Sequence, residues 1–142
     1  MGQDHKLLTL TPVLTVDPIE EAVEFYKELE FSEVYSIPDE NGRVVHSHLR
    51  KGESSMFLGR PDISHYPGKP RAVMIANCTA DKRGTGVTML LQVENLEEIY
   101  EMVRRRRLEV LAEPADEFYG DRVFFFLDPF GYEWKISRPT AG

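Results

Sequence analysis

The sequence contains an internal repeat that limits the folds available to the chain. The segment TPVLTVDPIEEAVEFY at positions 11–26 aligns without a gap with TMLLQVENLEEIYEMV at positions 88–103. Apolar and acidic positions coincide in the two copies, as shown by Leu14 with Leu91, Val16 with Val93, and Glu20 with Glu97. Two copies are too few for a solenoid, since stacked repeats need about three units for stability. We therefore predict a chain built from two similar halves.

Each copy of the repeat joins a strand pattern to a helix pattern. In the first copy, positions 7–16 alternate as in a half-buried strand, and Asp17 is a candidate cap for the helix that follows. In the second copy, the strand covers 86–93, and Asn95 with Glu98 resembles a capping box. The apolar residues predicted to share one face of the first strand are Leu8, Leu10, Leu14 and Val16.

Three further strands are predicted after each helix. They cover 31–37, 43–50 and 54–58 in the first half, and 109–118, 122–127 and 132–138 in the second. Asn41-Gly42 is a strong hairpin signal, and Pro114 indicates an edge or bulged strand. The fold class is therefore predicted to be α+β, with two tandem βαβββ modules.

The predicted modules are separated by a segment rich in proline and glycine. Module one covers about 7–59, a linker covers 60–84, and module two covers 85–138, all within a single domain of 142 residues. A connection of this length usually has a function or contacts a partner. We expect the linker to lie over a pocket or a subunit interface.

Composition excludes some classes of protein and leaves others open. Cys78 is the only cysteine, which rules out an intrachain disulfide and fits a reducing compartment. Residues 1–20 show no signal-peptide pattern, and no apolar stretch is long enough to span a membrane. The formal net charge of −7 disfavours nucleic acid and favours a cationic ligand, although solubility alone also explains it. A cytoplasmic protein without nucleic-acid or membrane partners is predicted.

Four segments, in their order and spacing, resemble the vicinal oxygen chelate superfamily of glyoxalases, bleomycin-resistance proteins and extradiol dioxygenases. They are VDPIEEAVEFYKEL at 16–29, GVTMLLQVENLEEIYEMV at 86–103, YGDR at 119–122 and DPFGYEWKIS at 128–137. The sequence is most similar to bleomycin-resistance-like and glyoxalase-like members. This resemblance implies that each module forms a curved mixed sheet with its helix outside, and that two such sheets enclose a cleft. It also implies a homodimer that binds a small molecule.

The resemblance also implies where a metal ion would bind in the metal-dependent members. Their ligands, usually His or Glu, lie on the first and last strand of each module. Here those positions hold Thr11, Thr88, Lys135 and a residue near Phe57. A threonine hydroxyl is a poor metal ligand and a protonated lysine repels a cation. We predict no metal ion and no cofactor at the usual position.

His46 and His48 are candidate site residues with two open interpretations. Residues two apart on a strand share a face, so the two imidazoles can converge on one ligand. A metal site would need a third ligand, and the sequence ties neither Asp62 nor His65 to this pair. The alternative is a polar strand face in which His48 acts as a hydrogen-bond partner or proton acceptor in the pocket.

The remaining candidate residues lie in the last strands of the two modules and in the YGDR segment. Glu133 and Lys135 share a strand face, where they either orient a polar ligand or form a solvated ion pair. The three consecutive phenylalanines at 124–126 cannot all face one way, so at least one of them faces the cleft. The complete set of predicted ligand-binding residues is His46, His48, Phe57, Thr88, Tyr119, Arg122, Phe125, Glu133 and Lys135.

Three functions remain open from the sequence. The first is a metal-independent protein of bleomycin-resistance type, which sequesters an aromatic or cationic compound, such as an antibiotic, without chemical change. The second is an enzyme, either a glyoxalase-like lyase or dioxygenase with an atypical metal site, or a metal-free catalyst using His48 and Glu133 as acid and base. The third is a dimeric module whose linker binds a partner protein.

Overall fold

Two modules of the same design make up the described part of the chain. The computed structural model describes residues 9–60 and 82–139, so most of the predicted linker, with Asp62, His65 and Cys78, lies outside the described residues. Module one consists of β1 (Val13–Thr15), α1 (Ile19–Glu28), β2 (Ser32–Pro38), β3 (Val44–Lys51) and β4 (Ser54–Gly59). Module two consists of β5 (Thr88–Gln92), α2 (Leu96–Arg105), β6 (Glu109–Asp116), β7 (Asp121–Leu127) and β8 (Glu133–Pro139).

The two sheets have equivalent strand orders, β1-β4-β3-β2 and β5-β8-β7-β6. The first strand of each module pairs in parallel with the last, and the other neighbours are antiparallel. This mixed pairing confirms the predicted α+β class and the tandem βαβββ plan. Neither described helix is long and apolar enough to span a membrane.

Local sequence accounts for most of these elements. Helix α1 buries Ile19, Ala22, Val23, Phe25 and Tyr26, which recur at helical spacing on one side. The turn between β2 and β3 uses Gly42 at φ +83°, a conformation that favours glycine. In β6 the register with β7 shifts between Ala112 and Ala115, on either side of Pro114, which agrees with the predicted bulge.

Both predicted helix caps were wrong in detail. Helix α1 begins after Pro18, and no side chain caps it, because the Asp17 carboxylate instead lies 3.7 Å from Arg43. Asn95 does precede α2, but its side-chain amide faces Glu98 and Glu30 rather than the helix amides. Both predicted cap side chains therefore contact other side chains and not the free amides of the helix.

The first strand is shorter than the alternating pattern predicted. It begins at Val13, and only Leu14 and Val16 of the predicted apolar set are buried. Leu10 is 97% exposed, and Leu8 lies outside the described residues. Pro12, which has no amide hydrogen, precedes the strand and accounts for its late start.

The helix-facing sides of the two sheets share one hydrophobic core. The Tyr26 ring on α1 lies 5.6 Å from the Trp134 ring on β8, and Phe25 lies 6.4 Å from Phe126 on β7. Phe31, at the start of module one's hairpin, also contacts Trp134 at 6.3 Å. Each sheet therefore has a helix-facing side in this core and an opposite side, here called its open face, that points away from the core.

Asp128, in the turn between β7 and β8, connects the modules through buried hydrogen bonds. Its Oδ2 accepts bonds from the Tyr26 hydroxyl at 2.5 Å and from Trp134 Nε1 at 2.9 Å. Its Oδ1 accepts bonds from the amides of Phe130 and Tyr132. Burial raises the pKa of Asp128 and, to a greater extent, that of Tyr26, where the Asp128 charge adds to the effect.

The raised pKa of Tyr26 predicts a loss of stability in alkali. The folded state retains the phenol proton above pH 10, where a free phenol loses it, so the free energy of unfolding should fall as pH rises beyond that value. Urea unfolding between about pH 8 and 11 measures the slope, which should be shallower in Tyr26→Phe. Identical slopes in the two proteins would contradict this prediction.

Candidate functional site

Four rings form a continuous cluster on the open face of module one. His46 and His48 lie on β3, between Tyr35 on β2 and Phe57 on β4. The Phe57 ring centroid lies 4.9 Å from each imidazole, and the Tyr35 ring lies 5.7 Å from His46 and 5.4 Å from His48. The cluster also contains polar contacts. The Tyr35 hydroxyl lies 3.4 Å from His46 Nε2, and Ser55 Oγ lies 3.0 Å from His48 Nε2.

Strand register produces this cluster. Ser47 and Leu49 are fully buried on the helix-facing side of β3, so His46 and His48 point to the open face. His48 lies directly opposite both Phe57 and Tyr35 in the ladder. Tyr35 is 44% exposed, which leaves its ring accessible on this face.

Module two presents a cation among aromatic rings on its open face. The Lys135 ammonium on β8 lies 5.6 Å from the Tyr119 ring centroid and 5.8 Å from that of Phe125. Of the three consecutive phenylalanines, Phe124 and Phe126 are buried in the core and Phe125 is only partly buried. This agrees with the prediction that these rings divide between the two sides of the sheet.

Glu133 and Thr88 form a hydrogen-bonded pair at the edge of the same open face. They lie opposite each other in the parallel ladder of β5 and β8, and Thr88 Oγ1 donates to Glu133 Oε2 at 3.1 Å. Lys135 follows two residues later on the same side of β8. Among the described residues, none of the ion pairs involves Lys135.

The repeat places Phe57 and Lys135 at equivalent positions in the two modules. Phe57 pairs with Val13, and Lys135 pairs with Leu90, which is the counterpart of Val13 77 positions later. One open face therefore has a neutral ring where the other has an ammonium group. The predicted acid–base pair is also divided between the modules, because His48 lies on β3 and Glu133 on β8.

Arg122 does not join either open face. Its guanidinium lies 3.4 Å from Glu97 on α2 and 3.1 Å from Asp116 on β6. Arg122 alternates with the buried Phe124 and Phe126 along β7, which puts it on the helix-facing side. Arg122 therefore lies on the opposite side of the sheet from Lys135 and Phe125.

The donor atoms in the described ranges do not suit a metal ion. No three His, Cys, Asp or Glu side chains gather there in a suitable group. The positions that the family resemblance assigns to metal ligands are Thr11, Thr88, Lys135 and a position near Phe57. Phenylalanine has no donor atom and a protonated lysine repels a cation, so the residues present do not fit the usual metal site.

A cleft of about 700 Å³ separates β4 from β5. Its lining includes Met56 and Trp134, both 2% exposed, together with Arg50 and Ser55. None of the predicted ligand-binding residues lines this cleft, but Ser55 connects it to His48 through their hydrogen bond.

Sequence reasoning missed Tyr35 and Ser55 as neighbours of the histidines. The only local signal for the position of Tyr35 was the alternation of side chains between the two faces of β2. Its position opposite His48 depends on a register shift between Glu33 and Tyr35, which the sequence pattern does not reveal.

Comparison with known proteins gives a family match over most of the chain. The model of the Glyoxalase/Bleomycin resistance protein/Dioxygenase superfamily matches residues 6–136. A protein of Mycobacterium tuberculosis strain H37Rv is 27% identical over 132 residues, which cover 92% of this chain and 74% of the relative. A Mycobacterium bovis protein is also 27% identical, and 83% of its length is covered.

Solved structures share the fold at low sequence identity. TioX from Micromonospora sp. ML1 is 17% identical with a TM-score of 0.64, and the match covers 95% of this chain and 98% of TioX. A glyoxalase/bleomycin resistance protein/dioxygenase from Nocardioides is 22% identical with a TM-score of 0.66, covering 97% and 87% of the two chains. Likeness at this level of identity is evidence for the fold alone.

Proposed function

Because the chain belongs to the Glyoxalase/Bleomycin resistance protein/Dioxygenase superfamily, we propose that it binds an aromatic small molecule on its open faces without a metal ion. The mode of action is that of a bleomycin-resistance protein, in which the bound compound is sequestered and not converted. Several members of this large superfamily are enzymes, so the proposal rests on the residues of this chain and not on membership alone.

The ring cluster on module one is the observation that carries the proposal. Tyr35, His46, His48 and Phe57 offer edges and faces to a planar ligand, and their rings already contact one another at 4.9–5.7 Å. Aromatic pairs in offset or edge-on geometry contribute about 0.5–1.5 kcal/mol beyond the burial of their area. The polar atoms of Ser55 and the two imidazoles would fix the orientation of such a ligand.

A second copy of the chain is proposed to enclose the ligand. The open faces point away from the core that the two modules share, so the strands and helices within residues 9–60 and 82–139 supply the core side of each sheet and not a wall over its open face. A homodimer that places module one of one copy opposite module two of the other would unite the ring cluster with Lys135 and Phe125. Small-molecule sites generally bury most of the ligand surface, which a single open face does not achieve.

The uncharged dye N-phenyl-1-naphthylamine tests metal-independent binding of an aromatic compound. We expect its fluorescence to increase on saturable binding to the protein, with an affinity unchanged within about twofold after treatment with EDTA, because the residues present do not fit a metal. Elemental analysis of protein purified without chelator provides the control. Loss of binding in EDTA, restored by Zn²⁺, Mn²⁺ or Fe²⁺, would contradict metal independence, and absence of any saturable binding would contradict the proposal itself.

A further inference from the structure

Lys135 already occupies the position where an aromatic site would hold a ligand's positive charge. Its ammonium lies within 6 Å of two ring centroids, at 5.6 Å from Tyr119 and 5.8 Å from Phe125. That distance is the range of favourable cation–π contact. A cationic ligand at these rings would have to displace Lys135 or approach it against charge repulsion.

The nearest carboxylate on this strand does not neutralise Lys135. Glu133 accepts its hydrogen bond from Thr88, and no ion pair to Lys135 occurs among residues 9–60 and 82–139. Rings stabilise an ammonium but carry no net charge, whereas an anion within hydrogen-bonding distance does neutralise it. This open face therefore presents a cation that is partly desolvated by rings and has no counter-ion within the described part of the chain.

The ring cluster of module one likewise offers no carboxylate to a cationic ligand from the strand beside it. Glu33 on β2 turns to the helix-facing side, where its Oε2 accepts a 2.7 Å hydrogen bond from the fully buried Ser47. The open face beside it presents imidazole, phenol, hydroxyl and phenyl groups. Such a surface suits the ring of a ligand and leaves its charge to be recognised elsewhere.

We propose that the ligand is an aromatic acid whose anionic group, such as a carboxylate, sulfonate or phenolate, binds the Lys135 ammonium. This inference rests on the proposed function and specifies its ligand class. It departs from the cationic ligand that the net charge of −7 favours, because that long-range preference is screened beyond about 8 Å at physiological salt. At contact distance, the local ammonium on the open face determines the preference.

Two dyes that differ in one charged group provide the test. 1-Anilinonaphthalene-8-sulfonate has the ring system of N-phenyl-1-naphthylamine with an added sulfonate. We expect Lys135→Gln to weaken binding of the sulfonate dye about tenfold and binding of the uncharged dye less than twofold. Lys135→Arg, which retains the charge, should keep sulfonate binding within about threefold of the wild type.

Lys27→Gln is the matched control, because it removes the same unit of charge from an exposed site on α1, where Lys27 pairs with Glu24. It should leave both dyes within about twofold. Equal losses of both dyes in Lys135→Gln, or equal losses of the sulfonate dye in Lys27→Gln and Lys135→Gln, would overturn the inference while leaving the proposed function in place. Failure of the uncharged dye to bind the wild type would instead overturn the proposed function.

Discussion

Replacing Asp128 with alanine is expected to lower the free energy of unfolding by roughly 3–5 kcal/mol. The substitution removes the acceptor for four hydrogen bonds, two from backbone amides and two from the side chains of Tyr26 and Trp134. Asp128 is 4% exposed, so water cannot replace these bonds without opening the core. Because Tyr26 belongs to module one and Trp134 to module two, the loss should weaken the packing between the modules.

Asparagine at this position gives an intermediate expectation. Asp128→Asn keeps one carbonyl acceptor for the amides of the turn but places an NH₂ group opposite the Trp134 indole, which can only donate. We expect a loss of about 1–3 kcal/mol, since one buried donor remains unsatisfied. Urea unfolding followed by the emission of Trp134 measures both variants at one fixed protein concentration.

Asp116→Ala is the control for these measurements. Asp116 also lies in module two, but its side chain is 69% exposed and its ion pair is with Arg122 at the surface. An exposed pair of this kind contributes about 0–1 kcal/mol. If Asp128→Ala were no less stable than Asp116→Ala, the structural role assigned to the Asp128 network would be wrong.

Replacing Phe57 with alanine is expected to weaken binding of N-phenyl-1-naphthylamine by tenfold or more, as truncation of a central aromatic residue commonly costs about 2 kcal/mol. Phe57 contacts both imidazoles of the ring cluster, so its loss removes one wall and also frees His46 and His48 to change orientation. Titration of the dye at equal protein concentration gives the change directly. Phe57→Leu, which keeps an apolar side chain but not the ring, should lie between alanine and the wild type.

Phe118→Ala removes a ring of the same size from a different environment. Phe118 is 97% exposed in the connection between β6 and β7, and its ring contacts Tyr119 and not the ring cluster of module one, so its replacement should weaken dye binding much less than Phe57→Ala does. Circular dichroism and thermal unfolding check that both variants are folded. Wild-type affinity in Phe57→Ala would show that the dye binds away from the ring cluster, and the 700 Å³ cleft beside β4 would then become the site to examine.

Much of the fold was predictable because its signals are local or repeated. The Asn41-Gly42 turn, the helical stripe of α1 and the bulge around Pro114 each depend on a few neighbouring residues. Because the repeat occurs in both modules, the order of elements predicted for one module also applied to the other. The predictions failed where a distant partner intervened, as at Asp17, whose carboxylate lies beside Arg43 instead of capping α1.

The side of the strand on which some candidate residues lie was predictable from the sequence, but the arrangement of the residues around them was not. Alternation along β3 and β8 indicated that His46 shares a face with His48, and Glu133 with Lys135. Which other side chains surround each pair depended on strands that are remote in sequence. Arg122 shows the same limit, because the YGDR segment marked it as a ligand-binding residue while Glu97 and Asp116 hold it on the helix-facing side.

The DPFG segment at 128–131 has a structural role that the sequence did not indicate. In the sequence it was the start of the DPFGYEWKIS segment at 128–137, one of the four segments that carry the family resemblance, and its aspartate had no predicted role. The structure shows Asp128 as the buried acceptor that joins α1 to β8. Tyr132, just after this segment, adds a second connection, because its hydroxyl donates to the Thr15 carbonyl and accepts from the Thr15 amide, both at 2.8 Å.

The sequence by itself determined two βαβββ modules and the residue types at the positions that the family resemblance assigns to metal ligands, because strand alternation, helical spacing and side-chain chemistry are properties of short segments. Only the tertiary structure decided which sides of the sheets meet, because that choice depends on how apolar surfaces from both modules pack together around Trp134 and Asp128. The shared core turns the open faces outward, with rings on one and Lys135 on the other. The charge and shape presented to a ligand therefore follow from packing between the modules and not from either module alone.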